Sequence, residues 1–565
     1  MVPFFCFVAA IFFVSAAATP INHAKRLVDG IHIPLVRYQA ARTQRRSQRA
    51  GAIGLGNVVD VTYNVLVQIG STRTPLVLDT GSSDLWVLSD ACKSNCSSAK
   101  VPLYPISTFK DTGLDVHLLY GDSFTGTHAK GPIGKDTVGV AGLILPDQYF
   151  AAISDTNTSI LQTGSAGIFG LGFPVNSFRS MTDLVYSVIW NKLLSAKVNG
   201  VSRRSTDSSI DSSFASRVFP DFSFVHPASE LQSRQSFTIT VHDVLETFES
   251  NGPLVSRLAT QGKLAAPLVT ITLQRDTVDV GGNLGMLSIG ELPRGVKADS
   301  LTWVSLRGYT TAEGGLPAPA ESPNEVYPLA WEIPIDDVYF DGQKLPKSNL
   351  TSSKISLSAL VDTGNSLIRG PQDVVQAVMS RLGKNTYPCG EAHTLAFKIG
   401  GKMFNVDPRD FGSQTYINSV DQCSPNLVAT DPPGEGFLYS WSLGDPFLKS
   451  ALVSFYYGNL TYPSKDAPRI GLLSTVPDDA AVQLQSAVSA AASSNGNLPV
   501  VSHSAPSGTL VAASTNTLGV AQACASMSGS NPRQSSGTVV LIRINGSFSF
   551  VTVLFLMACM LVLYI

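Results

Sequence analysis

The sequence predicts a mostly β protein made of two related halves, and three observations carry that expectation. Two apolar runs, Val77-Leu78-Asp79-Thr80-Gly81-Ser82-Ser83 and Leu360-Val361-Asp362-Thr363-Gly364-Asn365-Ser366, each lead into Asp-Thr-Gly, 283 positions apart. An apolar run bounded by Gly and Ser reads as a buried strand entering a tight turn. One Asp-Thr-Gly is an ordinary turn signal, whereas two copies with similar flanks indicate a repeated unit that supplies one carboxylate from each copy. The stretch Val59 to Ile69 alternates, with apolar residues at Val59, Val61, Tyr63, Val65, Val67 and Ile69, as a half-buried strand does. Finally, 47 glycines and 33 prolines among 565 residues cut the chain into short runs, the composition of a turn-rich β protein.

The ends of the chain read differently from its body. Met1 to Ala18 is an apolar run closing on Ala16-Ala17-Ala18, a secretory signal with a small-residue cleavage site; it lacks an early Lys or Arg, and a short membrane anchor is the alternative. Residues 19–49 hold seven Lys or Arg against Asp29, a net of +6 within a formal total of −2, so the rest of the chain nets −8. A basic leader on an acidic body predicts a prosegment neutralised within the molecule, with a processing site at Arg45-Arg46. Nucleic-acid binding needs a basic patch on the body itself, and the sequence offers none, so no nucleic-acid partner is expected.

From about Ala50 to residue 475 short apolar runs alternate with Gly, Pro and Asp, and the expected division is 50–275 and 276–476. Met181 to Leu194 is the best helical candidate. Residues 199–235 are Ser-rich, contain Arg203-Arg204, and read as an exposed insertion open to a second cleavage. Ala480 to Gly537 has no aromatic residue and a single charged one, Arg533. Such a composition predicts a flexible stalk over 477–530, with a make-up suited to O-glycosylation. Residues 531–565 follow the small residues Ser528, Gly529 and Ser530, and end in an apolar tail from Phe548 to Ile565 with no charge after it. That pattern predicts a GPI-attachment signal, with a retained C-terminal transmembrane helix as the alternative.

Seven cysteines agree with an oxidising compartment. Cys6 leaves with the signal, Cys559 would leave with the tail, and Cys524 stays unpaired. Cys92 pairs with Cys96 and Cys389 with Cys423, each disulfide within its own half, free thiols being the alternative. No His or Cys cluster accompanies them, so no metal is expected. Asn95, Asn157, Asn349, Asn459 and Asn545 head glycosylation sequons.

Two carboxylates held together cannot both ionise easily, so one proton is shared between them. The anionic member can deprotonate a water that attacks a peptide carbonyl, while the protonated member donates to the carbonyl oxygen. General acid–base work of this kind contributes roughly 10²–10⁴-fold. No His motif supports a Ser or Cys nucleophile.

The set of motifs resembles the pepsin-like aspartic proteases. Asp79 to Val87 is similar to their first active-site signature and Asp362 to Leu367 to their second. Leu119-Tyr120-Gly121-Asp122-Ser123-Phe124-Thr125-Gly126 resembles the flap hairpin. Ile168 to Gly172 and Leu443 to Leu448 resemble the segments supporting each loop, Trp331-Glu332-Ile333 a substrate strand, and Arg469 to Leu472 the closing strand. The match covers about residues 55–475. It implies a bilobal pepsin-like fold with a cleft between two pseudo-twofold related lobes, and catalysis by Asp79 and Asp362 through a water, with no cofactor. Thr80 and Thr363 would grip each other beneath the aspartates. Gly81 and Gly364 would bring N–H groups near them, and Ser82 would donate to a carboxylate. Tyr120 would cover the substrate, its hydroxyl bonded by Trp86. Two departures stand out: Asn365 replaces a hydroxyl residue, with an amide expected to donate to Asp362, and the flap lacks its second Gly. Asp122 at the flap tip suits a Lys or Arg in the substrate, or merely its own turn. The resemblance further implies a monomeric zymogen acting on protein or peptide substrates, and the stalk with its tail resembles the GPI-anchored, yapsin-like branch at fungal cell surfaces. The competing readings are a catalytically silent surface protein that binds peptides or wall polymers, and a two-carboxylate glycosidase.

Overall fold

The computed structural model describes most of residues 49–174, 239–430 and 440–503, with short strands at 209–210, 509–515 and 521–525. The leader to residue 48, nearly all of the helical candidate 181–194, most of the Ser-rich insertion and the tail 531–565 lie outside the described residues.

The first half opens with β1 (Ala50–Gly54), then β2 (Thr62–Ile69) and β3 (Thr72–Asp79). The expected alternation holds in β2, where Tyr63, Val65, Val67 and Ile69 are all buried. Leu76, Val77 and Leu78 of β3 are buried in succession, as in a strand covered on both faces. After β4 (Leu85–Leu88) come the long strands β5 (Lys110–Tyr120), β6 (Thr127–Val140) and β7 (Leu143–Ile153), and then β8 (Gly167–Gly170). The sheet runs β2-β3-β8-β4-β7-β6-β5, with β8 parallel to β3 and antiparallel to β4. Helix α1 (Val241–Asn251) packs Val241, Val244, Leu245 and Phe248 into the core.

Three strands follow, β9 (Leu268–Thr272), β10 (Met286–Ile289) and β11 (Thr302–Ser305). The second half then repeats the plan of the first with β12 (Glu332–Pro334), β13 (Ser358–Val361), β14 (Ile368–Pro371), β15 (Leu427–Thr430) and β16 (Trp441–Leu443). Here β16 is parallel to β13 and antiparallel to β14, within the order β12-β13-β16-β14-β15. Each half therefore places its Asp-bearing strand beside a parallel central strand and a returning third, which is the pseudo-twofold relation of the bilobal fold.

With β17 (Ala451–Tyr456) and β18 (Arg469–Ser474), the order β11-β18-β17-β9-β10-β1 forms a sheet with strands from both halves. The division expected at 275/276 falls inside this sheet, between β9 and β10. One face carries Val269, Ile271, Leu287, Ile289, Val453, Phe455, Ile470 and Leu472 into the main core. The other carries the buried Thr270, Ser288 and Ser454, with the Thr270 hydroxyl 3.1 Å from that of Ser454. Just beyond β10, Glu291 is 1% exposed, and neither carboxyl oxygen finds a hydrogen-bond partner among the described residues. Burial pushes its pKa up to about 8.

The expectation of a flexible stalk from residue 477 is corrected over its first part. Ala480–Ala492 is a helix, packed on the turn Pro408–Phe411 and the strand Ser419–Pro425. Ala480, Leu484 and Ala491 are buried, and Val488 and Leu498 pack against the core. Arg409 donates to Gln483 at 2.5 Å, and Gln414 Nε2 to Gly496 O at 2.7 Å. Alanine is the best helix former, and residues 484, 488 and 491 fall on one helical face, so little apolar area suffices. Farther on, β19 (Thr509–Thr515) pairs with β1, and β20 (Ala521–Ala525) with β19. Among the described residues no helix is long and apolar enough to cross a membrane.

Candidate active site

The site is built where the two Asp-bearing strands run out of the core. Asp79 ends β3, and its carbonyl accepts from Leu171 N–H, at the end of parallel β8, at 2.7 Å. Asp362 follows β13, and its own N–H donates to Leu443 O of β16 at 3.0 Å. The segments expected to support each loop thus do so through backbone bonds to the aspartates themselves.

Two threonines lock the loops together. Thr80 N–H donates to Thr363 Oγ1 at 3.1 Å, and Thr363 N–H to Thr80 Oγ1 at 3.0 Å. Each hydroxyl then donates across the interface to a strand carbonyl, Thr80 to Val361 O at 2.8 Å and Thr363 to Leu78 O at 2.7 Å. Four bonds from two fully buried side chains set the spacing of the halves.

Above this grip the two glycines leave room for the acids. A Cβ on Gly81 would lie 2.5 Å from Asp362 Oδ1, and one on Gly364 would lie 2.6 Å from Asp79 Oδ1. Any side chain there would push into the opposite carboxyl, so glycine is needed at both positions. Gly81 N–H donates to Asp79 Oδ1 at 2.8 Å, and Gly364 N–H to Asp362 Oδ1 at 2.9 Å. Ser82 Oγ donates to Asp79 Oδ2, as expected. The two carboxyls face each other across these glycines, near enough for each to act on the other's ionisation. Burial raises the pKa of both; for Asp362 the negative charge of Asp79 adds to the rise. A pair of this kind holds one proton between them.

Asn365 departs from expectation. Its amide nitrogen donates to Ser442 Oγ at 2.9 Å rather than to Asp362. The second loop has therefore lost the side-chain donor that Ser82 supplies in the first. Trp86 does bond Tyr120, Nε1 to hydroxyl at 2.7 Å with ring centroids 6.2 Å apart. Tyr120 closes β5 opposite Thr127 of β6; Gly121 and Asp122 lie outside the described residues. Trp331, Glu332 and Ile333 are 0% exposed, so this segment does not line the cleft. Trp331 Nε1 instead donates to Leu171 O at 3.0 Å, tying the second half to the support of the first. Both disulfides, Cys92–Cys96 and Cys389–Cys423, are formed. Sequence reasoning missed Ser442, which carries no motif.

A family model described as eukaryotic aspartyl protease matches residues 62–212 and 239–462. The chain belongs to this family. The protease is similar to an aspartic protease of Phaffia rhodozyma, at 25% identity over 73% of this chain and 75% of the relative. It is 24% identical to cathepsin E-A of Xenopus laevis, over 74% and 81% of the two chains. It is 32% identical to rhizopuspepsin-2 of Rhizopus niveus, over 32% and 48%. Its class is that of the aspartic endopeptidases, hydrolases of peptide bonds that need no cofactor.

Proposed function

We propose that Asp79 and Asp362 are the catalytic pair of an acid-active endopeptidase, made as a zymogen and displayed at the cell surface. The observation that carries the reading is the approach of two carboxyls, Asp79 buried and Asp362 half-buried, on loops joined by the Thr80–Thr363 grip. In the singly protonated pair the ionised aspartate takes a proton from water as that water attacks the scissile carbonyl. The protonated partner donates to the carbonyl oxygen, and the proton later passes to the leaving amine. Asp79 accepts from Gly81 and Ser82 and so is the better supported anion, which assigns the protonated role to Asp362. Ser82 and the two glycines hold the carboxyls in place, while Tyr120, steadied by Trp86, covers the substrate.

The basic segment 19–49 suits a cleft in a body of net −8, and supports its reading as an inhibitory prosegment released after Arg46. The apolar start and tail of the sequence support entry to the secretory pathway and attachment to the outer leaflet through a GPI anchor, with the protease acting as a monomer on protein or peptide substrates. The deciding experiment replaces each aspartate by asparagine. Either variant should lose roughly 10²–10⁴-fold in kcat/KM on an unstructured peptide at acidic pH, and undiminished hydrolysis by either would end the assignment.

A further inference from the structure

Residues 480–503 start on the second half and end on the first. The helix 480–492 lies on the turn Pro408–Phe411 and the strand Ser419–Pro425, and the chain behind it is held by a net of amides. Asn497 Oδ1 accepts from Asn418 N–H at 2.8 Å, and its Nδ2 donates back to Asn418 Oδ1 at 2.7 Å. Gln414 donates to Gly496 O at 2.7 Å and accepts from Leu498 N–H at 2.8 Å. Gly496 has a φ of +73° and lies so close to Asn418 that a Cβ there would collide with its backbone. This anchorage is continuous with the sheet that carries Asp362. Phe411 O accepts from Asn426 N–H at 2.7 Å, and Asn426 O from Ile368 N–H of β14 at 3.0 Å.

Four residues beyond Leu498 the chain has changed halves. Ser502 and His503 pair antiparallel with Val58 and Asn57. The strand Gly56–Val58 pairs in turn with β2, and β2 with the Asp79-bearing β3. Without the Ser502–His503 strand, Gly56–Val58 would be the open edge of its sheet, and an open edge leaves backbone N–H and C=O groups unpaired. From Leu498 to Ser502 even a fully extended chain spans at most about 14 Å, and Pro499 stiffens it further. The link between the two attachments is therefore short.

We propose that residues 480–503 are a strap, fixed at one end to the Asp362 sheet and at the other to the Asp79 sheet, that limits how far the two halves can part. It leaves only the chain beyond Ala525, where β20 ends, to serve as a stalk.

The test uses the full chain with pepstatin present and an elastase-type protease that cuts after small residues, the fragments being mapped by mass. In wild type, cuts within 480–503 should be at least about tenfold slower than cuts beyond Ala525, since a docked segment must open locally before it is cut. Gly496→Val breaks the anchorage and should erase that protection. Equal rates on the two sides of Ala525 in wild type overturn the proposal, as does full protection in Gly496→Val. The restraint itself is read by severing the strap. A specific protease site replaces residues 499–501 in a Cys524→Ser chain, and spin labels at Lys110→Cys and Lys402→Cys mark the two halves. The intact chain should give one narrow label-to-label distance and the cut chain a broader distribution reaching to longer distances. An unchanged distribution after cutting overturns the strap; should that chain fail to fold, the wild-type digestion decides. Neither readout uses peptide hydrolysis, so a failed catalytic assignment of Asp79 and Asp362 would leave both results standing.

Discussion

The two active loops share a backbone plan and differ in how they treat their acids. Around Asp79 the neighbouring side chain points inward, and Ser82 donates straight to the carboxyl. Around Asp362 the equivalent side chain turns outward, and Asn365 spends its amide on Ser442, Leu367 and Arg369. One half gives its carboxyl a hydroxyl donor, and the other turns the equivalent side chain away to the neighbouring strand. The comparison teaches that duplicated loops must agree where backbone meets backbone, at the threonines and glycines, but are free to diverge in the surrounding side chains.

That contrast can be broken at several points. The largest expected effect tests the helical buttress of the second half. Leu484→Ala on the C-terminal helix leaves a cavity against the core, and should lower unfolding free energy by about 2–3 kcal/mol. Denaturant unfolding followed by tryptophan fluorescence reads this, and an unchanged midpoint would mean the helix is not docked in solution. Next comes the point where the loops agree. Thr80→Val and Thr363→Val each strand buried partners and should cost about 1–3 kcal/mol apiece, with losses that fall short of additive in the double variant because the two share bonds. Strictly additive losses would deny the reciprocal grip. The smallest effect sharpens the difference. Ser82→Ala removes a direct donor to the Asp79 carboxylate, which raises the pKa of the pair and should move the acid limb of kcat/KM up by about one pH unit. Asn365→Ala removes no side-chain donor to either carboxyl and should move it less. A larger shift for Asn365 would reverse the roles assigned to the two loops.

Much of this was legible in the sequence because it depends on local rules. The repeated Asp-Thr-Gly and the alternation in β2 follow from residue types at short spacing, and the Trp86–Tyr120 pairing, 34 positions apart, came from the resemblance of the motifs to the family. The parts that were not legible depend on long-range geometry. The direction of the Asn365 amide is set by Ser442, 77 positions away, and nothing in either segment announces the meeting. Trp331 resembled a cleft residue but is consumed by packing between the halves. The helix at 480–492 was hidden by composition: its Ala and Ser content suggests an unfolded stalk, yet the spacing of Leu484, Val488 and Ala491 carries a helical stripe that averaging over 58 positions erases.

Glu291 gives the shared sheet a chemical clock. In the unfolded chain its carboxyl gives up a proton near its ordinary value, whereas in the folded protein burial holds that proton up to about 8. Between those limits each step toward neutrality therefore rewards unfolding, and the two raised active-site carboxyls push the same way. The joint between the lobes should therefore be soundest in acid and slacken as the surroundings turn neutral. In Glu291→Gln the decline of stability from about pH 4.5 to 8 should become shallower, and a slope as steep as that of wild type would place the clock elsewhere.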